Sequence, residues 1–287
     1  MNEIAQHWTC GRVVVSLEKP VLVGILNVTP DSFSDGGLFE DNAKAVNHAL
    51  ALVEAGATII DVGGESTRPG ATRISADTQI ARTRGVIQGI REKSDVCISI
   101  DTTLSSVAQA AIEVGATSIN DVASGDEDAQ MFALAAETGV GLVLMHRRLP
   151  PELDQFSDKY VTPPQAVNIV QDVVAWLLER AEAAQRAGVQ KSAIAIDPGF
   201  GFGKSVEQNW QMVEEATQFV QTGYPIYAGL SRKSFIGATA SLKEATERDT
   251  VSAVAAFEMA LQGVQIFRVH NVPEHVRLLQ SLSSIQH

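Results

Sequence analysis

Eight short runs of apolar, mostly β-branched residues recur along the chain, and each ends on a polar side chain. They cover 21–28, 58–64, 96–102, 118–122, 141–146, 194–199, 225–231 and 265–270. Each is nearly continuous rather than alternating, the pattern of a strand buried on both faces of a parallel sheet. Segments of helical period lie between them. In the first, Val46, Ala49, Leu50 and Val53 share one face, and Asp41 is the expected N-cap. Gly56, Gly115, Gly139, Gly188, Gly223 and Gly263 each stand a few residues before the next run. Glycine just past a helix end takes the left-handed conformation at no Cβ cost, so helix, stop and strand repeat along the chain. The second helix, roughly 76–93, lacks that stop and carries Gly85 and Gly89 inside it.

Eight βα units in about 250 residues predict a (β/α)8 TIM barrel. A doubly wound sheet would usually open with a Gly-rich first turn, and here that turn reads Asn27-Val28-Thr29-Pro30-Asp31. Residues 1–20 fall outside the repeat. Trp8 to Leu17, bending near Gly11, read as a short hairpin that closes the barrel bottom. Residues 21–287 then form a single barrel domain with no linker. With 22 basic and 34 acidic residues the net charge is −12, and there is no basic run. That argues against nucleic-acid binding and against an anionic membrane surface. Cys10 and Cys97 are too few for a disulfide framework, Met1–Trp8 has no secretory character, and no apolar stretch approaches a membrane span. The expectation is a cytoplasmic protein.

In a barrel the chemistry collects at the C-terminal ends of the strands. Those ends supply Asn27, Asp61 with Glu65 beyond it, Asp101, Asn120, His146, Asp197, Ser231 with Lys233, and Arg268 with His270. One Asp at a strand end is ordinarily an N-cap or turn former. Eight polar ends converging on one rim point instead to a site. Asp101, Asn120 and Asp197 suit the donor-rich amino-pyrimidine edge of a flat heterocycle, because a carboxylate accepts two parallel N–H bonds. Lys233, Arg268 and His270 offer positive donors, and Arg68 adds another from the second loop. Those suit a phosphate chain, with Asn27 and Asp35 as hard oxygen ligands for Mg²⁺.

Two features are decoys. Gly199-Phe-Gly-Phe-Gly-Lys204-Ser205 mimics a phosphate loop, but that motif needs glycine where Pro198 stands. His7, His48, His275 and His287 fall on expected helices or termini, and no two histidines have metal-ligand spacing.

The loops also resemble a known family. Gly24-Ile-Leu-Asn-Val-Thr-Pro-Asp-Ser-Phe-Ser-Asp-Gly-Gly37 is similar to the first loop of dihydropteroate synthases, and Asp61-Val-Gly-Gly-Glu-Ser-Thr-Arg-Pro-Gly-Ala71 to their second. Ser99-Ile-Asp-Thr102, Ile119-Asn-Asp121, Ile196-Asp-Pro-Gly-Phe-Gly-Phe-Gly-Lys204, Ser231-Arg-Lys-Ser234 and Arg268-Val-His270 continue the match in order. The resemblance implies a homodimeric barrel of folate biosynthesis. It joins 4-aminobenzoate to a dihydropterin carried as its methyl diphosphate, with Mg²⁺. It further implies that Asp101, Asn120, Asp197 and Lys233 hold the pterin, with Met145 packed nearby. Asn27 would ligand Mg²⁺, and Thr67, Arg68, Arg268 and His270 would surround the diphosphate. Phe33, Pro69, Phe202 and the Lys233 stem would flank the aminobenzoate, whose carboxylate would meet Ser234 at a helix start.

An S_N1-like departure of diphosphate follows from the electron-rich ring, with Asp35, Arg68, Lys233, Arg268 and His270 as the catalytic set and no covalent adduct. Sulfonamides, which imitate 4-aminobenzoate, are expected inhibitors. Both first loops are expected to be mobile, having little to pack against. The fifth strand end departs from the family pattern His-Met-x-Gly-x-Pro: it reads His146-Arg147-Arg148-Leu149-Pro150-Pro151, with both arginines expected to point to solvent. Two other readings carry the same pterin carboxylates. A methyltransferase domain that presents methyltetrahydrofolate to a corrinoid protein would not need Asn27, Arg68 and Arg268. A non-catalytic binding paralogue would rest only on the altered fifth loop.

Overall fold

The computed structural model describes residues 4–29 and 38–282. β1 (His7–Cys10) and β2 (Val13–Ser16) pair antiparallel. Parallel strands follow at all eight expected places: β3 (Val21–Asn27), β4 (Ile59–Gly63), β5 (Cys97–Asp101), β6 (Ser118–Asp121), β7 (Gly141–Met145), β8 (Ile194–Asp197), β9 (Tyr227–Ala228) and β10 (Ile266–Val269). Their order is β8-β7-β6-β5-β4-β3-β10-β9, and a parallel bridge between Ile196 and Ile226 closes the cylinder. The fold is the (β/α)8 barrel.

The connecting helices are α1 (Leu38–Glu54), α2 (Ala76–Arg91), α3 (Ser105–Glu113), α4 (Met131–Thr138), α5 (Ile169–Arg186), α6 (Val206–Glu214), the short α7 (Thr217–Val220), α8 (Ser234–Ala240), α9 (Asp249–Leu261) and α10 (Val272–Leu279). Asp41 lies inside α1 rather than capping it. Gly85 and Gly89 in α2 have a packing reason. A Cβ on them would fall 2.6 Å from Asn42 Nδ2 and 2.8 Å from Val46 Cγ2, so the glycines let α1 and α2 approach closely. On α10 and just beyond it, Leu279 and Leu282 are buried and Val276 packs on the core.

The two faces of each strand serve different layers. Ile60, Val62, Ile98, Ile100, Leu142 and Leu144 point outward and pack beneath the helices. Ile59, Cys97, Val143, Ala195 and Ile266 point inward and join Trp8 and Cys10 of the hairpin in a separate apolar plug. Trp8 seals it, fully buried with its indole N–H donated to Ala193 O at 2.7 Å.

Candidate active site

Strand parity lifts a polar layer directly above that plug. Side chains repeat every two residues along a strand. Two positions beyond Ile59, Cys97, Val143, Ala195 and Ile266 stand Asp61, Ser99, Met145, Asp197 and Arg268. They therefore enter the same interior nearer the C-terminal rim, with Asp101 one step higher and Asn120 on β6.

Arg268 ties these strands together. Its Nε donates to Asp61 Oδ2 at 2.6 Å and its Nη2 to Asp101 Oδ2 at 2.8 Å, while Asn120 Nδ2 donates to Asp61 Oδ2 at 3.1 Å. Three buried acceptors in this cluster, Asp61 Oδ1, Asp101 Oδ1 and Asn120 Oδ1, have no protein partner. A buried acceptor left unpaired costs about 1–3 kcal/mol, which a donor-rich ligand edge would recover. Asp61 is the residue that sequence reasoning placed at a strand end but gave no role. Its inward parity, two residues before Gly63, was the available signal.

Asp101, Asp197 and Lys233 are pushed toward neutrality. Burial raises Asp101 to about 7, outweighing the Arg268 charge and aided by Asp61. Burial also raises Asp197 to about 6, against the Gly199 N–H that its Oδ1 accepts at 2.7 Å and against the Lys233 charge. Lys233 is lowered to about 8 by burial and by Arg268. Its ammonium lies 4.0 Å from the centre of the Phe202 ring, and Phe202 packs with Met145 and Val122. The structure brings these residues together at one rim.

His270 does not supply the positive charge assigned to it above. Burial and the surrounding Arg268, Arg232, Lys233 and Arg68 push it down to about 3, so the ring is neutral. Its Nδ1 is 3.1 Å from the Ser231 hydroxyl. A neutral imidazole still hydrogen-bonds a phosphate oxygen without adding charge.

Thr67, Arg68 and Pro69 sit on the second loop, between β4 and α2, with Arg68 exposed. Contrary to the expectation that it has little to pack against, this loop is tied down. Gly70 N–H donates to Pro151 O at 2.8 Å, Arg82 to Gly64 O at 2.8 Å, and Ile74 N–H to Glu65 Oε1 at 2.7 Å. Phe33 and Asp35 lie outside the described residues, as does most of the first loop. Ser234 begins α8, and its Oγ accepts the Ser157 N–H at 3.0 Å, leaving its own O–H free to donate.

Arg147 and Arg148 do not point to solvent. Arg147 is 10 % exposed and pairs with Glu127, while Arg148 Nη1 donates to Gln165 O at 2.7 Å. The phosphate-loop mimic is structural. Lys204 is fully buried and donates to Gly199 O, Phe202 O and His146 O at 2.8, 2.9 and 3.3 Å. Gly199 is obligatory there: its φ is +70°, and a Cβ would fall 1.8 Å from His146 O.

For a metal, no group of three or more His, Cys, Asp or Glu side chains could hold an ion among the described residues. The rim offers hard oxygen instead. A Cβ at Gly63 would lie 3.6 Å from both Asn27 Oδ1 and Asp101 Cβ, so the glycine keeps the space between those two side chains open. An amide oxygen beside a diphosphate fits Mg²⁺, which keeps several waters and takes phosphate oxygens from its substrate.

The family model of pterin binding enzymes matches residues 23–270. The dihydropteroate synthase of Streptococcus pyogenes serotype M18 is 44 % identical over 276 residues, 96 % of this chain and 98 % of its own. The dihydropteroate synthase of Xanthomonas albilineans, solved with 4-aminobenzoic acid, superposes with a TM-score of 0.89 at 36 % identity, covering 98 % of both chains. Its complex with 7,8-dihydropteroate gives 0.86 at 34 % identity, again over 98 % of both chains.

Proposed function

The chain belongs to the dihydropteroate synthases, and from that premise we propose a role for each part of its rim. The enzyme joins 4-aminobenzoate to the methylene carbon of (7,8-dihydropterin-6-yl)methyl diphosphate, releasing diphosphate and 7,8-dihydropteroate. The observation that carries the assignment of roles is the buried cluster of Asp61, Asp101, Asn120 and Arg268 with its three unpaired acceptors.

Asp101, Asn120 and Asp197 accept the N–H groups of the pterin edge, Lys233 donates to the ring, and Met145 packs against it. Thr67, Arg68, Arg268 and neutral His270 surround the diphosphate. Asn27, with Asp35, would hold Mg²⁺, which when bound neutralises part of the leaving-group charge. Phe33, Pro69, Phe202 and the Lys233 stem flank the aminobenzoate, and Ser234 donates to its carboxylate.

The C–O bond breaks with its electron pair leaving on the diphosphate, and the ring delocalises the methylene cation. Asp101 and Asp197 favour that cation, while Arg68 and Arg268 favour the departing anion. Donors already in place at developing charge are the largest single source of catalysis in most enzymes. The aryl amine then attacks the carbon and loses its proton to water. It is nucleophilic without a strong base, so no covalent enzyme adduct forms.

Residues 1–20 serve as the floor of one barrel domain, 21–287. Val254 and Leu261, exposed on α9, support a homodimer, and the enzyme works in the cytoplasm. Among the described residues no helix is long and apolar enough to cross a membrane. The test is formation of 7,8-dihydropteroate from the two substrates, followed by mass spectrometry. Product that needs both substrates and sulfonamide inhibition support the reading. Pterin binding without product, or a pterin covalently attached to the chain, would contradict it.

A further inference from the structure

Glu127, in the loop after β6, is the centre of a chain of four charges that joins three loops at the rim. Arg147, just beyond β7, donates to Glu127 Oε1. Arg73, at the end of the second loop, reaches the same carboxylate through Nη1, 2.8 Å from Oε2. The Thr103 hydroxyl also donates to Glu127, and Arg73 Nη2 donates to Thr103 Oγ1 at 2.9 Å. Arg73 Nε pairs in turn with Glu65 at 3.3 Å. The charges balance, two acids against two bases. Burial would raise Glu127, but the bonds from Thr103, Arg147 and Arg73 outweigh it and hold the carboxyl below its ordinary range.

Glu65 and Arg73 bracket the segment 66–72, which carries Thr67, Arg68 and Pro69. Their mutual pairing closes the base of that segment. Glu127 sets where the base sits, and the Gly70–Pro151 hydrogen bond fixes its tip to the loop after β7. Rotamer-rich side chains tied in one network lose less order on binding a ligand, the advantage of preorganisation.

We propose that Glu127 and Arg147 are positioning residues that hold the second loop so that Arg68 meets the leaving diphosphate. The inference rests on the placement of Arg68 at the diphosphate. Neither residue touches substrate; both act through Arg73. Arg147 thereby replaces a neutral side chain of the family pattern with the counter-charge that keeps Glu127 in place.

The experiment compares affinities for the dihydropterin methyl diphosphate and for the same pterin as its free alcohol, in the full-length enzyme. Glu127→Gln and Arg147→Met should weaken the diphosphate roughly tenfold and leave the alcohol unchanged, since a displacement of about 1 Å misplaces one contact. Arg147→Lys should restore most of the loss. Hydrogen exchange in a peptide covering 65–74 should quicken in both variants while exchange in the barrel strands stays constant. An Arg68→Ala control separates the two layers of the argument. If Arg68→Ala weakens the diphosphate but Glu127→Gln changes neither the ratio nor the exchange, the strut is overturned. If Arg68→Ala itself leaves the ratio unchanged, the placement of Arg68 fails and the inference falls with it. Equal weakening of alcohol and diphosphate in Glu127→Gln would show a general structural role and would also overturn it.

Discussion

Arg268 and Asp61 stand 207 residues apart in the chain and meet at 2.6 Å inside the barrel. The contact exists because β10 pairs with β3 and β3 with β4, so the last strand returns beside the first strand of the barrel, one strand away from Asp61. Asp61 is fully buried, and its Oδ2 serves Arg268 and Asn120 together. Asp61→Ala would leave the guanidinium with one carboxylate and Asn120 Nδ2 without its acceptor. Breaking such a buried pair costs about 3–5 kcal/mol. Urea denaturation should show that loss, and turnover should fall below detection even at temperatures where the variant is folded. Wild-type stability in Asp61→Ala would contradict the finding.

Asp197 should trade stability for function. Its carboxyl titrates near 6 in the fold, against 3.8 as its ordinary value, because burial disfavours the charge. Between those values the folded protein binds more protons than the unfolded chain, so this group's contribution to stability falls as pH rises through that window. Above pH 7 the full penalty is present. Asp197→Asn keeps an acceptor for the Gly199 N–H and removes the charge. It should gain about 1–3 kcal/mol at pH 8 and lose that advantage toward pH 4. Activity should be lost at both. Thermal melts at the two pH values check the sign; a variant less stable than wild type at pH 8 would refute it.

Pterin affinity should depend on pH for the same reason. The proposed acceptors, Asp101 near 7 and Asp197 near 6, must be ionised to take the ring N–H groups. Calorimetric titration from pH 5 to 8 should show affinity rising up to about tenfold per pH unit between 6 and 7, more steeply below 6 where both groups must lose a proton, and flattening above 7. A flat profile would remove the carboxylates from the recognition step.

Lys204 should behave as a structural residue. Three backbone carbonyls depend on its ammonium, and nothing in its burial leaves it free for a phosphate. Lys204→Met should destabilise the protein by about 2–4 kcal/mol, because the carbonyls lose their donor inside the barrel rim. The variant should bind the pterin diphosphate less well only to the extent that the 199–203 loop is disturbed. A fully stable Lys204→Met that had lost only diphosphate affinity would restore the phosphate-loop reading.

What could be read from the sequence follows from periodicity. The eight apolar runs and the glycine stops define βα units, and the period of two within each strand decides which polar residues reach the interior. That made Asp101, Asn120, Asp197 and Arg268 legible as one site. The roles that were missed depend on partners brought in by other strands. Asp61 looks like any strand-end carboxylate until Arg268 is beside it. The neutrality of His270 comes from Arg268, Arg232, Lys233 and Arg68 crowding one ring, which no spacing encodes. Arg147 reads as a solvated loop charge because Glu127, twenty residues earlier, has no periodic relation to it. The position of Asp41 inside α1 rather than before it shows how weak a lone cap signal is.

The central claim is that the polar ring above the barrel plug is where the dihydropterin diphosphate reacts. Diphosphate release by the purified enzyme, with Mg²⁺ and the pterin diphosphate, with and without 4-aminobenzoate, tests it most directly. The account predicts release in step with dihydropteroate formation when both substrates are present, and none from Asp197→Ala. Release that continues unchanged in Asp197→Ala would place the chemistry elsewhere and contradict it.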